Sequence, residues 1–285
     1  MKIKELIRLY DAGERDFPGV DLSGADLRGI TLIGVNLTGA NLTGADLSRA
    51  FLLKSDFSGA KMNWATLNFV KMSEAKLVET DLTKANIIGA FMVKSKLPGA
   101  KMSGVNISGT NLRRANLWGA NLCGADLTRA NLRDTNLNGV NFKWANLSEA
   151  RLIGAMLYGA ALNFTNFSKA WLKGVDLSGA DLEGVNLSGA RLAGANLEWA
   201  NLSAANLTEA QLEQVNLKGA DLTAATLTKA SLEGANLTWA VVRKTNLSGA
   251  NLKETKLYGI DLNDAEFNTP IMLQSANELL HYTAV

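Results

Sequence analysis

Residues 39–47 read Gly39-Ala40-Asn41-Leu42-Thr43-Gly44-Ala45-Asp46-Leu47, a five-residue phrase that begins to repeat before it ends. Working outward from it, every fifth residue from Phe17 to Phe267 is large and apolar, 51 positions without an exception. Two residues before each stands a small or β-branched residue, as at Ala25, Val35, Ser55, Thr80, Ala120 and Val185. Between the two comes a polar residue, usually Asn or Asp, as at Asp26, Asn36, Asn121 and Asn201. The unit is Ala-(Asn/Asp)-Leu-x-x, and its last position is very often Gly.

Regular secondary structure cannot bury this period. On a helix, five residues advance about 500°, so successive leucines would lie roughly 140° apart around the axis. Along a straight strand, faces alternate with period two, and an odd step would put every second Leu in water. A short extended piece followed by a corner satisfies the pattern: small residue in, Asn or Asp out, Leu in, then two turning residues. Gly suits the second turning position because many turns need a positive φ there.

The units Gly24-Ala25-Asp26-Leu27, Gly119-Ala120-Asn121-Leu122 and Gly179-Ala180-Asp181-Leu182 resemble those of the pentapeptide-repeat proteins, a family abundant in cyanobacteria, and the resemblance runs over residues 15–269. It implies an all-β fold, a right-handed quadrilateral parallel β-helix with four units, or 20 residues, per coil. Dividing 51 units by four gives nearly 13 coils, a rod roughly 60 Å long at about 4.8 Å per coil.

A solenoid exposes its core at both ends and needs caps. In residues 1–14, Ile3, Leu6, Ile7 and Tyr10 follow helical spacing and Gly13 suits a helix end, so a short N-terminal capping helix is expected. Residues 270–285 form a tail in which Ser275 and Glu278 resemble a capping box; it is expected to cover the last coil, which favours a monomer over a dimer. The charged, interrupted start Met1–Tyr10 lacks the apolar core of a signal peptide, and no run of 18 apolar residues offers a membrane span. With the single Cys123, these features point to the cytoplasm.

Material for catalysis is scarce. The one histidine, His281, lies in the tail, and no glycine run has the form of a phosphate loop. No catalytic, cofactor or metal site is expected. Cys123 reads as an incidental surface thiol, and columns such as Asn116, Asn136, Asn196, Asn216 and Asn236 as side chains satisfying one another and the turns rather than as a metal ladder.

The outward positions are more informative. Folded at 20 residues per coil, one face gathers Ile33, Phe51, Leu53, Phe91, Val93, Arg113, Arg114, Arg133, Arg151, Ile153, Trp171, Lys173 and Arg191, while the opposite face shows Ser48, Asn68, Asn106, Ser148 and Asn186. Apolar groups mixed with Arg and Trp typify protein-binding patches. A non-enzymatic scaffold that docks a protein partner on this face is the expected function. The alternative suggested by the resemblance, a DNA-mimic modulator of DNA gyrase, calls for a strongly acidic surface. This chain has 29 Lys and Arg against 27 Asp and Glu. Nucleic-acid binding is not expected either, because the lysines that make residues 41–120 basic, among them Lys61, Lys76 and Lys101, spread over different faces.

Overall fold

The computed structural model describes residues 1–267. The tail, with His281 and its proposed helix cap, lies outside the described residues. The chain divides into two compact units, one of Met1–Asn146 with Ala155–Ala160 and the other of Leu147–Gly154 with Ala161–Val285.

Each unit is built from parallel bridges between residues 20 apart, such as Asn41↔Lys61 and Asn116↔Asn136 in the first and Asn196↔Asn216 and Asp221↔Val241 in the second. Twenty residues hold four pentapeptides, so each coil has four sides. The extended piece of a side is reduced to a single bridging residue, always the one before the central Leu.

One pentapeptide, Ala40–Gly44, shows how the corner is held. The Ala40 N–H closes a turn on the Leu37 carbonyl (3.0 Å), Asn41 donates to Val20 O of the preceding coil (2.9 Å), and Leu42 donates to Lys61 O of the next (2.7 Å). Thr43 donates to the Asn41 side-chain Oδ1 (3.2 Å), and Gly44 donates to Asn63 O (3.0 Å). All five backbone donors are used, and buried backbone groups demand this. The recurring Asn or Asp is therefore the acceptor for the one N–H that neither neighbouring coil reaches. Its carboxamide also donates along the column, as Asn216 Nδ2 does to Asn196 Oδ1 (3.0 Å) and Asn141 to Asn121 (3.2 Å). An Asp only accepts, and Asp176 and Asp181 each receive the Asn one coil later.

Inside, the central residues from Phe17 to Leu252 are buried, as are most of the small residues two before them. Hydroxyls are admitted at the small position because they find a carbonyl: Ser55 donates to Leu32 O, Thr80 to Phe57 O and Thr245 to Leu222 O, at 2.8, 2.8 and 2.7 Å. An unpartnered hydroxyl there would cost about 1–3 kcal/mol. Leu257, Leu262 and Phe267, in the last described coil, are only half-buried.

Helix α1, Ile3–Asp11, fits a short cap. Leu6 is its buried residue, the Met1 amine donates to Asp21 O (3.2 Å), and the Tyr10 hydroxyl accepts the Ile33 N–H (3.0 Å). The expected apolar stripe is narrower than its spacing suggested, because Ile7 is exposed. Gly13, just past the helix, has φ +99°.

The second turning residue takes a positive φ from Gly19 to Gly259, and 24 of the residues there are not glycine. Six are aromatic: Trp64, Phe69, Trp144, Phe164, Trp199 and Trp239, with φ between 57° and 62°. Four of them press against a glycine one coil later. A Cβ placed on Gly89 would come within 2.7 Å of the Phe69 ring, one on Gly184 within 2.6 Å of Phe164, and those on Gly219 and Gly259 within 2.2 Å of the indoles of Trp199 and Trp239. The missing side chain of one coil is thus the seat of an aromatic from the coil before.

Two stability predictions follow from this packing. Ala120 is wholly buried, so Ala120→Leu is expected to overpack the core and lower stability by about 1–3 kcal/mol in urea melts. Gly179→Ala, at φ +63° in open space, is expected to cost about 1–2 kcal/mol. Gly219→Ala, at φ +65° beneath Trp199, should cost measurably more, and the excess should vanish in a Trp199→Ala background.

Candidate protein-docking face

In the first unit, the bridges align Thr31, Phe51, Lys71, Phe91, Asn111 and Asn131 in one column. The other three columns of bridging residues in this unit hold Asn, Asp, Lys and Thr, with Met156 as the single apolar member. Phe51 is 37% and Phe91 49% exposed, and Lys71 places its Nζ 4.6 Å from the Phe51 ring centre. Two residues further along each coil stand Ile33, Leu53, Ser73, Val93, Arg113 and Arg133, so half-buried Leu53 and Val93 flank the phenylalanines. Arg113 and Arg114 converge on Asp134, at 3.4 and 3.7 Å.

Replacing Asn by Phe removes the acceptor for the following corner. The N–H groups of Leu53 and Val93 find none among the described residues, whereas Arg113 and Arg133 still donate to Asn111 and Asn131 at 3.2 and 3.4 Å. The aromatic part of the face thus carries both exposed apolar surface and open backbone donors.

In the second unit, the equivalent column runs Arg151, Trp171, Arg191 and Gln211. Half-buried Trp171 is flanked by both guanidiniums: the Arg191 Cζ lies 4.1 Å and the Arg151 Cζ 5.6 Å from its ring centre. Lys173 is exposed beside them. The structure therefore brings together Phe51, Leu53, Phe91, Val93, Arg113 and Arg133 within one unit, and Arg151, Trp171, Lys173 and Arg191 within the other. Sequence reading found the column members but missed the Arg–Trp–Arg stacking. An Arg, Trp, Arg series at intervals of 20 was the signal available for it.

Elsewhere, Cys123 is half-exposed, and the Asn columns are occupied with the hydrogen bonds described above. Among the described residues, no group of three or more His, Cys, Asp or Glu is placed to hold a metal ion, and no helix is long and apolar enough to cross a membrane.

Four-sided coils of five-residue sides, each with an inward Leu and an outward Asn or Asp, define a pentapeptide-repeat solenoid. Eight segments, residues 16–52, 36–73, 65–104, 106–143, 135–174, 170–208, 205–243 and 230–268, match the family Pentapeptide repeats, and the chain belongs to that family. Among solved structures, it is similar to HetL, a pentapeptide repeat protein involved in heterocyst differentiation regulation from the cyanobacterium Nostoc sp. strain PCC 7120 (30% identity, covering 95% of this chain and 99% of HetL, TM-score 0.45). It is also similar to QnrB1, a plasmid-mediated fluoroquinolone resistance protein (16% identity, 95% of each chain, TM-score 0.31). A third similar structure is the pentapeptide repeat protein Rfr23 of the cyanobacterium Cyanothece 51142 (36% identity, 38% of this chain and 63% of Rfr23, TM-score 0.21). The comparison with curated proteins gave no match.

A shallow depression in the first unit, lined by Asp26, Arg28, Ser48, Arg49, Asn68 and Phe69, shows how charge is managed on these columns. Asp26 and Asp46 bridge directly, acid over acid. Arg28 spans the pair, with Nη2 2.6 Å from Asp26 and Nε 3.8 Å from Asp46. The side-chain hydrogen bond from Arg28, then its backbone N–H and its charge, hold the exposed Asp26 carboxyl at about 2. Because this folded value is depressed, whatever the pair contributes to stability is present above the unfolded value of about 3.9 and lost as pH falls through about 2. In Arg28→Gln, the Asp26 carboxyl should titrate clearly above 2 in an NMR pH series, with the backbone N–H of residue 28 still holding it down in part. A carboxyl still titrating near 2 would show that Arg28 is not the cause.

Proposed function

We propose that this protein is a non-catalytic binding scaffold whose Phe51 and Phe91 column docks a protein partner. The observation that carries the reading is the substitution pattern of the first unit. Phenylalanine replaces the structurally useful Asn at Phe51 and Phe91, which leaves the N–H groups of Leu53 and Val93 open. Lys61, Lys71, Lys76 and Lys101 leave the same N–H open, so what sets Phe51 and Phe91 apart is that the open donor lies beside exposed aromatic surface, an arrangement that suits an external partner. Aromatics and arginines are the anchors that such interfaces favour.

The wider reading includes a right-handed winding of about 13 coils over residues 15–269, at 20 residues per coil, and a monomeric, cytoplasmic protein. HetL, itself involved in heterocyst differentiation regulation, supplies a family member with a regulatory role. The gyrase-modulating alternative has less support. The first unit carries 19 Lys and Arg against 13 Asp and Glu, the reverse of a DNA-like surface.

Tagged full-length protein and its Phe51→Ser/Phe91→Ser variant should be compared by quantitative mass spectrometry of captured proteins. Each specifically captured partner should then be purified and titrated against both forms. At least tenfold weaker binding by the variant, with an unchanged melting curve, is the expected result. Equal affinity would overturn the reading.

A further inference from the structure

The second unit as a whole is acidic, with ten Lys and Arg against thirteen Asp and Glu over residues 147–154 and 161–267. Yet Arg151, Lys173 and Arg191 gather on one face, and none of them lies within ion-pair distance of a carboxylate among the described residues. Two other cations of this unit behave differently: Lys218 pairs with Glu198 at 3.1 Å, and Lys253 with Glu233 at 3.5 Å. The guanidiniums of Arg151 and Arg191 are instead held against Trp171. Stacking uses the plane of a guanidinium and leaves the N–H donors on its edge free for a planar anion. It also fixes the side chain beforehand, so less entropy is lost when the anion arrives.

A second, independent feature points the same way. At most corners of this unit an Asn or Asp oxygen accepts the following N–H, as at Glu198, Ser203 and Lys218. On the ladder that oxygen is missing, and the N–H groups of Lys173 and Ala193 have no acceptor among the described residues. Two arginine forks and two open backbone amides thus lie along one column, where the rest of the fold places a carboxamide or carboxylate.

We infer that the Arg151–Trp171–Arg191 ladder binds an acidic peptide segment of the partner, whose Asp or Glu carboxylates replace the missing oxygens at Lys173 and Ala193. The inference deepens the docking reading and rests on it for the partner being a protein. A nucleic acid fits less well. It requires a long run of cations along its phosphates, and here the cationic column ends at Gln211, with Glu213 beside it.

The test is fluorescence anisotropy on the full chain with a labelled octapeptide of alternating Glu and Gly, its Gln–Gly counterpart, and oligothymidylate as competitor. The Glu peptide should bind and the Gln peptide should not. Arg151→Gln/Arg191→Gln should weaken binding by at least about tenfold, the scale of one lost charge-assisted contact. In amide NMR spectra, the Lys173 and Ala193 resonances should shift on peptide addition. Equal binding by the variant, unmoved Lys173 and Ala193 resonances, or tighter binding of oligothymidylate would each overturn the inference. If the Glu peptide fails while Phe51→Ser/Phe91→Ser still weakens the captured partner, docking stands and its acidic-peptide chemistry falls. If the peptide binds at the ladder while that variant is without effect, the ladder stands and the phenylalanine column is not the docking site.

Discussion

The fold rests on the need of every backbone N–H to find an acceptor. A chain that turns every five residues forms no helix and almost no continuous strand, so the acceptors must come from elsewhere. Here the neighbouring coils take three donors per unit, the turn takes one, and the side chain of Asn or Asp takes the last. Leucine fills the interior, but Asn makes the corner affordable. Its carboxamide both accepts locally and donates to the preceding rung, which is why Asn outnumbers Asp in most columns and why directly stacked Asp26 and Asp46 are spanned by Arg28.

That constraint also separates scaffold from candidate site. Where the column keeps Asn, as at Asn111 and Asn131, the backbone is closed on itself. Where it changes to Phe51, Phe91, Trp171 or Arg191, the following N–H is left for something outside the chain. Loss of internal satisfaction and gain of exposed aromatic or cationic surface occur at the same positions. The N–H groups of Asn63, Val78 and Ser103, which follow Lys61, Lys76 and Lys101 on other columns, also lack an acceptor among the described residues, so it is the aromatic and stacked cationic surface that marks this face.

The period of five was enough to place Leu42 inside, Ala40 beside it and Asn41 outside, because those assignments depend only on the local corner. Four sides per coil depended on which residue meets which across coils, and spacing alone does not contain that; the bridges between residues 20 apart supply it. The column of Phe51 and Phe91 in one unit, and that of Arg151, Trp171 and Arg191 in the other, were legible once the sequence was folded at that period. Hidden from it were features that need side-chain direction as well as register: Trp171 between two guanidiniums, and Trp199 lying over Gly219. The tolerance of Trp, Phe and Lys at φ near 60° was equally unreadable. Interlocked coils impose that conformation on whatever residue arrives there, overriding its own preference.

The registry of 20 has an evolutionary corollary. Within either unit, inserting one pentapeptide would keep every downstream Leu inward, yet turn all later surface residues a quarter of the way round. Hydrophobic selection would not notice the change, but any partner reading a column would. Growth or loss by whole coils preserves recognition, whereas growth by single repeats scrambles it, so the quantum of inheritance for this surface is four repeats even though the quantum of folding is one.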